Sequence, residues 1–398
     1  MKFRVFLFLV FLFSSNVSFS QDERFQLPLA LQKAYFEINV GSIDYNFNKS
    51  QFESLDDYTY QSVEVPHTAV RLVLFGYQFN PYFSAQISYM RPVYWVNYKY
   101  TNSNYTQKSS VWMNIAGLSV KAQLPVVKNI TLFGEFGLGI ITRLGGVSYR
   151  GAVIVKEANY NSYLLGGGFK YNLNPKIDLL LSSVYSPKKM AVRQPAISFV
   201  SAGFSYNLHR LPEEKIKDLK TGAIIHPKHL FQVGYSSLVF GYGINNSFSK
   251  IPLFWGGNSE VNHGFSMDYQ QNVFRTAKYF SLDWGVGASF LKSNINKESF
   301  YTISAYPVFR FDFLHTRPFD AYAYYSIAGP SFISKTIIDD IDCGKKFTFQ
   351  DNMGFGLLIG DHRNYNLEFK IGHYSNGNLF TQNAGVKIPF SLNVGYAF

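Results

Sequence analysis

The chain has 398 residues, a net charge of +11 and one cysteine, Cys343. One cysteine excludes an internal disulfide, and the positive charge is spread without a basic run, so no nucleic-acid motif is present. Aromatic residues reach 18%, with 39 Phe and 29 Tyr, against 16% charged residues, a balance that suits strands and bilayer interfaces better than a soluble core.

Residues 1–20 read as a secretory signal. Lys2 and Arg4 begin it, Val5 to Phe13 form the apolar run, and Ser18-Phe19-Ser20 supplies a small-x-small cleavage site. That run is too short to cross a bilayer as a helix, and no later stretch is long enough. From residue 34 onward the chain alternates apolar and polar positions in segments of about 10–15 residues, separated by turn-rich breaks. Eight strands are expected in residues 21–208 and eight more in 229–398. Long gaps such as 47–66 and 144–158 alternate with tight turns such as 80–82 and 174–176, the pattern of an outer-membrane barrel with long loops at one end. Between the halves, 209–228 carries His-Arg-Leu-Pro-Glu-Glu-Lys-Ile-Lys-Asp and reads as a solvated, charged linker.

The expected fold is therefore all-β, a transmembrane antiparallel barrel. Two tandem eight-stranded barrels are favoured by the linker and by the repeated closing pattern, Phe204-Ser-Tyr206-Asn-Leu208 and Val394-Gly-Tyr396-Ala-Phe398. One sixteen-stranded pore is the alternative. A terminal aromatic such as Phe398 resembles the signal read by the barrel assembly machinery.

Functional chemistry concentrates in the stretch from Asn366 to Phe380. Leu367, Phe369 and Ile371 share one strand face, and His373 and Ser375 continue the same row. A lipid-facing strand thus ends in a His and a Ser that point outward. Strand parity puts this tip at the extracellular rim, beside lipopolysaccharide. A serine hydroxyl becomes a nucleophile when a base takes its proton, and residues i and i+2 of a strand lie roughly 6.5–7 Å apart at the backbone, within side-chain reach. The Asn376 amide and the Gly377 turn stand where an oxyanion would form.

The wider sequence supports this reading. Over about residues 229–398 the chain resembles the outer-membrane lipid A 3-O-deacylase family, also described as acyloxyacyl-hydrolase-like. The resemblance lies in Gly329-Pro-Ser-Phe332-Ile-Ser-Lys-Thr336, Phe347-Thr-Phe349-Gln-Asp351-Asn-Met-Gly354, His373-Tyr-Ser375-Asn376-Gly377 and Asn383-Ala-Gly385. It implies an eight-stranded barrel that removes a 3-hydroxyacyl chain from lipid A without a metal or cofactor. His373 is then the base, Ser375 the nucleophile and Asn376 the oxyanion donor. One position departs. The family's third member is a glutamate twelve residues beyond the serine, and Lys387 stands there. Glu368 lies on the opposite face from His373. Three outcomes are open at the site: a working Ser–His dyad, a substitute acid, or an inactive enzyme; the candidate acid is Asp351, which shares the outward row of the neighbouring strand with Phe349 and Met353. Gln382 and Asn383 are neutral alternatives. The second functional class is a non-catalytic structural or transport barrel that has lost its acid. The first half shows no comparable constellation.

Overall fold

The computed structural model describes residues 23–54, 59–92, 96–101, 106–144, 146–147, 153–248, 257–377, 379–380 and 382–398. The signal expected at 1–20 lies outside the described residues. Sixteen long strands carry the architecture. In the first half they are β1 (Ala34–Tyr45), β2 (Thr68–Asn80), β3 (Phe83–Pro92), β4 (Thr106–Val127), β5 (Ile130–Leu144), β6 (Ala158–Asn174), β7 (Ile177–Ser186) and β8 (Ile197–Asn207). In the second half they are β9 (His229–Ser237), β10 (Ser259–Arg275), β11 (Phe280–Ser293), β12 (Ser299–His315), β13 (Phe319–Ile333), β14 (Phe347–Ile359), β15 (Tyr365–Ser375) and β16 (Val386–Ala397).

Each set closes on itself. β1 pairs antiparallel with both β2 and β8, and every intervening neighbour is paired, through β4 with β5 and β5 with β6. The second ring closes in the same way through β9 with β16. The sixteen-stranded alternative is thus replaced by two eight-stranded barrels.

The pleat has the inverted polarity that a bilayer demands. On β1, Phe36, Ile38 and Val40 are 38, 44 and 51% exposed, while Glu37 and Asn39 between them are 5 and 1% exposed. The interiors are filled. Lys121 Nζ meets Glu37 Oε1 at 2.7 Å and Arg71 grips Glu135 in the first barrel. In the second, Arg310 meets Asp283 and Lys370 meets Asp268, each at 2.7 Å, and Glu368 accepts from the hydroxyls of Tyr322 and Tyr324. Eight strands enclose just enough space for such side chains. Apolar clusters seal the ends, including Tyr98, Val111 and Ile141 at the upper end of the first barrel, and Val261, Phe300 and Tyr374 at that of the second.

Three details differ from the expected pattern. The first is the loop between β1 and β2, which contributes Thr59–Glu64 to a ladder with Val96–Thr101 and the start of β4, so that β4 runs 22 residues and rises past its neighbours. The second is β9, which stops at Ser237 after 9 residues, short of the ~10–15 expected of each segment. Gly241 and Gly243, at φ +77° and +53°, turn the chain out of extended geometry.

The third is the linker between barrels, which is not fully solvated. It forms helix α1 (Glu213–Thr221), and the chain then docks under the second barrel: the Ile224 N–H donates to Ala277 O, and His226 is buried. Arg24, from the segment before β1, holds it there by donating to the carbonyls of His226 and Pro227 and to Asn272 Oδ1. Once α1 ends, these backbone carbonyls need donors, and the guanidinium supplies them.

Candidate functional site

The site lies at the upper end of β15, where the two neighbouring ladders treat the strand differently. Toward β14 the register is unbroken, so Asp351 sits directly opposite His373 and Phe349 opposite Ser375. Toward β16 the ladder slips after Lys370 and resumes with Gly372 against Ile388 and His373 against Lys387. The slip keeps His373 and Lys387 on the same outward face. It also leaves carbonyls unpaired by the ladder. Asn245, in the short helix α2 (Ile244–Phe248), fills the gap by donating through Nδ2 to Gly372 O at 2.9 Å and Ile388 O at 3.1 Å.

Because β9 is short, the first residues of β10 reach past it to β16. Ser259 pairs with Val386 and Glu260 with Lys387 in a parallel bridge. Glu260, Lys387, His373 and Asp351 therefore form one outward row across four strands. The end contacts are measured: Lys387 Nζ to Glu260 Oε1 is 2.9 Å, and His373 Nε2 to Asp351 Oδ2 is 3.5 Å. The latter is an ion-pair distance rather than a good hydrogen bond. The other Asp351 oxygen accepts the Ala328 N–H at 2.5 Å. Ala328 belongs to a bulge between Ser326 and Gly329 and has φ +52°, an uncommon conformation for alanine that turns its N–H toward the carboxylate.

The sequence row is preserved, but its openness is not. His373 was expected to face lipid, yet its side chain is fully buried. The chain from 238 to 248 packs outside β15 and β16 at this level. Tyr242 places its ring 5.3 Å from Lys387 Nζ, and Phe390 packs so closely on Gly243 that a Cβ there would lie 2.6 Å from the ring. Gly257 covers the stem of Lys387 in the same manner. Burial, with Glu260 and Asp339 nearby, holds the Tyr242 phenol well above its usual pKa, and its neutral hydroxyl donates to Val261 O at 2.6 Å. Ser375 stays half-buried and reachable.

The remaining candidates are placed as follows. Asn376 is fully buried, donating its backbone N–H to Asn383 Oδ1 at 2.8 Å and its Nδ2 to Gln382 O at 2.9 Å. It braces the turn after Ser375. The same contacts engage Asn383 and the Gln382 carbonyl with Asn376. Glu368 is inside the barrel, as its parity requires. Burial raises the Cys343 thiol to about 11, so it stays protonated and unreactive near neutral pH. Among the described residues no cluster of His, Cys, Asp and Glu could hold a metal ion. Glu260 and Asn245 carried no sequence signal, since 113 and 128 residues separate them from His373 (373 − 260 and 373 − 245).

Closed antiparallel barrels with apolar outer faces and charged, filled interiors define an integral outer-membrane β-barrel protein. Its two halves match different family models, lipid A 3-O-deacylase (PagL) over residues 259–397 and the OmpA-like transmembrane domain over residues 32–211. No curated relative matches the chain. Solved structures with a similar fold include the outer membrane enzyme PagL (16% identity, 42% of this chain and 99% of that one, TM-score 0.32). Neisserial surface protein A is similar at 15% identity over 44% of this chain and 97% of that one, TM-score 0.30. The attachment invasion locus protein Ail of Yersinia pestis has the same identity, coverage and TM-score. The chain is thus an outer-membrane protein of two barrels, the second of which is similar over residues 259–397 to the lipid A 3-O-deacylase family model.

Proposed function

We propose that the second barrel hydrolyses an ester-linked, 3-hydroxyacyl chain of lipid A at the outer leaflet, with Ser375 as nucleophile and His373 as base. The observation that carries this reading is the cross-strand pairing of His373 with Asp351, two residue pairs below Ser375, within the segment that matches the deacylase family model. Ser375 Oγ attacks the ester carbonyl while its proton passes to His373. The imidazolium then protonates the departing lipid hydroxyl, and water cleaves the acyl-serine in a second round with His373 as base. Asp351 acts on the imidazole alone, holding its orientation and balancing the charge it gains. Its 3.5 Å approach needs only a small closing movement, as catalytic hydrogen bonds without substrate are often long. The oxyanion donors are the Gly377 N–H and the second hydrogen of the Asn376 amide.

The chain reaches the membrane after export on residues 1–20 and inserts with the assembly machinery, which reads the terminal Phe398. Full burial of His373 and the lysine at 387 favour a second reading, a structural or transport barrel without turnover. Mass spectrometry of lipid A from outer membranes containing wild type or Ser375→Ala separates the two. Loss of one hydroxyacyl mass with the intact serine alone supports hydrolysis. Identical lipid A with both folded proteins supports the structural reading.

A further inference from the structure

The second barrel carries another feature, four strands around the ring from β15 and therefore on its far side. There a groove of about 600 Å³ opens on the outer face of β10, β11 and β12 at the same end of the barrel as Ser375. Its walls are Phe265, Phe290 and Tyr301, which are 62, 57 and 44% exposed. Phe290 and Tyr301 lie 6.4 Å apart at their ring centroids, and Tyr301 continues to Phe332 at 6.1 Å, making an aromatic ledge across three strands.

Above this ledge the lining becomes cationic. His263 and Lys292 are cross-strand partners, and Lys335 enters from the loop after β13. Lys335 shares Glu298 at 3.5 Å, and Lys292 meets no carboxylate among the described residues. Lys346 adds a fourth basic group, its Nζ 5.9 Å from the Phe332 ring.

We infer that this groove is a binding site for a phosphate-bearing lipid of the outer leaflet, with its acyl chain on Phe265, Phe290 and Tyr301 and its phosphate between Lys292 and Lys335. Apolar walls facing the bilayer core call for a chain, and lysines at headgroup depth call for an anion. The volume lies within the range of small-molecule sites, about 300–1,000 Å³. Nothing in this inference depends on Ser375 being a nucleophile.

Native mass spectrometry of the full chain in detergent tests it, with diphosphorylated lipid A, dioleoylphosphatidylcholine and inorganic phosphate titrated separately. The Ser375→Ala background prevents turnover. Each lysine is expected to contribute about fivefold, so Lys292→Gln with Lys335→Gln weakens retention of diphosphorylated lipid A roughly 25-fold. Lys292→Arg with Lys335→Arg restores it, and Lys128→Gln with Lys176→Gln, a charge-matched change in two tight turns of the first barrel, leaves it unchanged. Phe290→Ala weakens it without touching a charge, which keeps the test valid if the double glutamine variant does not fold. Equal retention by the Lys292→Gln with Lys335→Gln variant, equal loss in Lys128→Gln with Lys176→Gln, or equal binding of phosphatidylcholine overturns the inference. So does a change of oligomer mass at constant lipid retention, which would make a second copy of the chain the occupant. Binding of inorganic phosphate as tightly as the lipid overturns the role given to the aromatic wall.

Discussion

Lys387 Nζ lies 2.9 Å from Glu260 Oε1, and each residue enters this contact because β9 is too short to separate β10 from β16. The position that resembles the deacylase glutamate therefore holds a cation neutralised by a carboxylate from another strand. His373 is bordered by this pair on one side and by Asp351 on the other. Had Lys387 been left unpaired there, it would oppose formation of an imidazolium beside it. Glu260 removes most of that penalty.

Exchanging the pair tests this arrangement. Glu260→Lys with Lys387→Glu preserves the charges and places a carboxylate beside His373. Stability in urea should stay within about 1 kcal/mol of wild type, because the pair is partly exposed. Deacylation of lipid A should rise by roughly tenfold or more as the imidazole gains a second acidic neighbour. An unchanged rate in a folded protein would show that Lys387 is not what limits the site.

Asp351→Asn removes the charge but keeps the shape and the Ala328 contact. If Asp351 orients His373, kcat falls by about 10²–10⁴ with little change in KM. Asp351→Glu should recover part of the loss. A purely structural role predicts instead that the asparagine variant keeps its rate and loses only stability.

The interior pair offers a test that is independent of catalysis. Lys370→Met leaves Asp268 buried with only the Tyr306 hydroxyl as donor, and should destabilise the barrel by about 3–5 kcal/mol. Adding Asp268→Leu should recover most of this, since an apolar pair of similar volume leaves no orphaned charge. Heat-dependent migration on gels and urea titration in micelles report the difference. The filled interiors also predict that wild type shows no steady conductance in a planar bilayer.

His226 gives a pH prediction. Burial, and then the cations of Arg275, Arg310 and Arg24, hold its pKa well below the usual 6.5. The folded state therefore keeps it neutral while the unfolded chain binds a proton below about pH 6.5. Stability from this group is present above that value and is lost as pH falls, by up to about 1.4 kcal/mol per unit. His226→Gln should flatten the slope between pH 6.5 and 5. An equal slope in the variant would assign the acid sensitivity to other groups.

The strands were legible because the bilayer enforces a strict alternation. The alternation read from Leu367 to Ser375 falls within β15, and the shared row of His373 with Leu367, Phe369 and Ile371 follows from parity. Asp351 could be placed on the adjacent outward row for the same reason, although its direct opposition to His373 required the register. What the sequence by itself determined was thus the class of protein, the two-fold division of the chain and the side of the barrel on which each site residue lies. Only the tertiary structure decided what surrounds them. The Asn245 amide that fills the slipped ladder after Lys370 and the Glu260 carboxylate that meets Lys387 both come from segments more than 100 residues away. Such contacts leave no periodic trace. They bury His373 and join Lys387 to Glu260, because each backbone group freed by an irregular ladder must find a partner nearby.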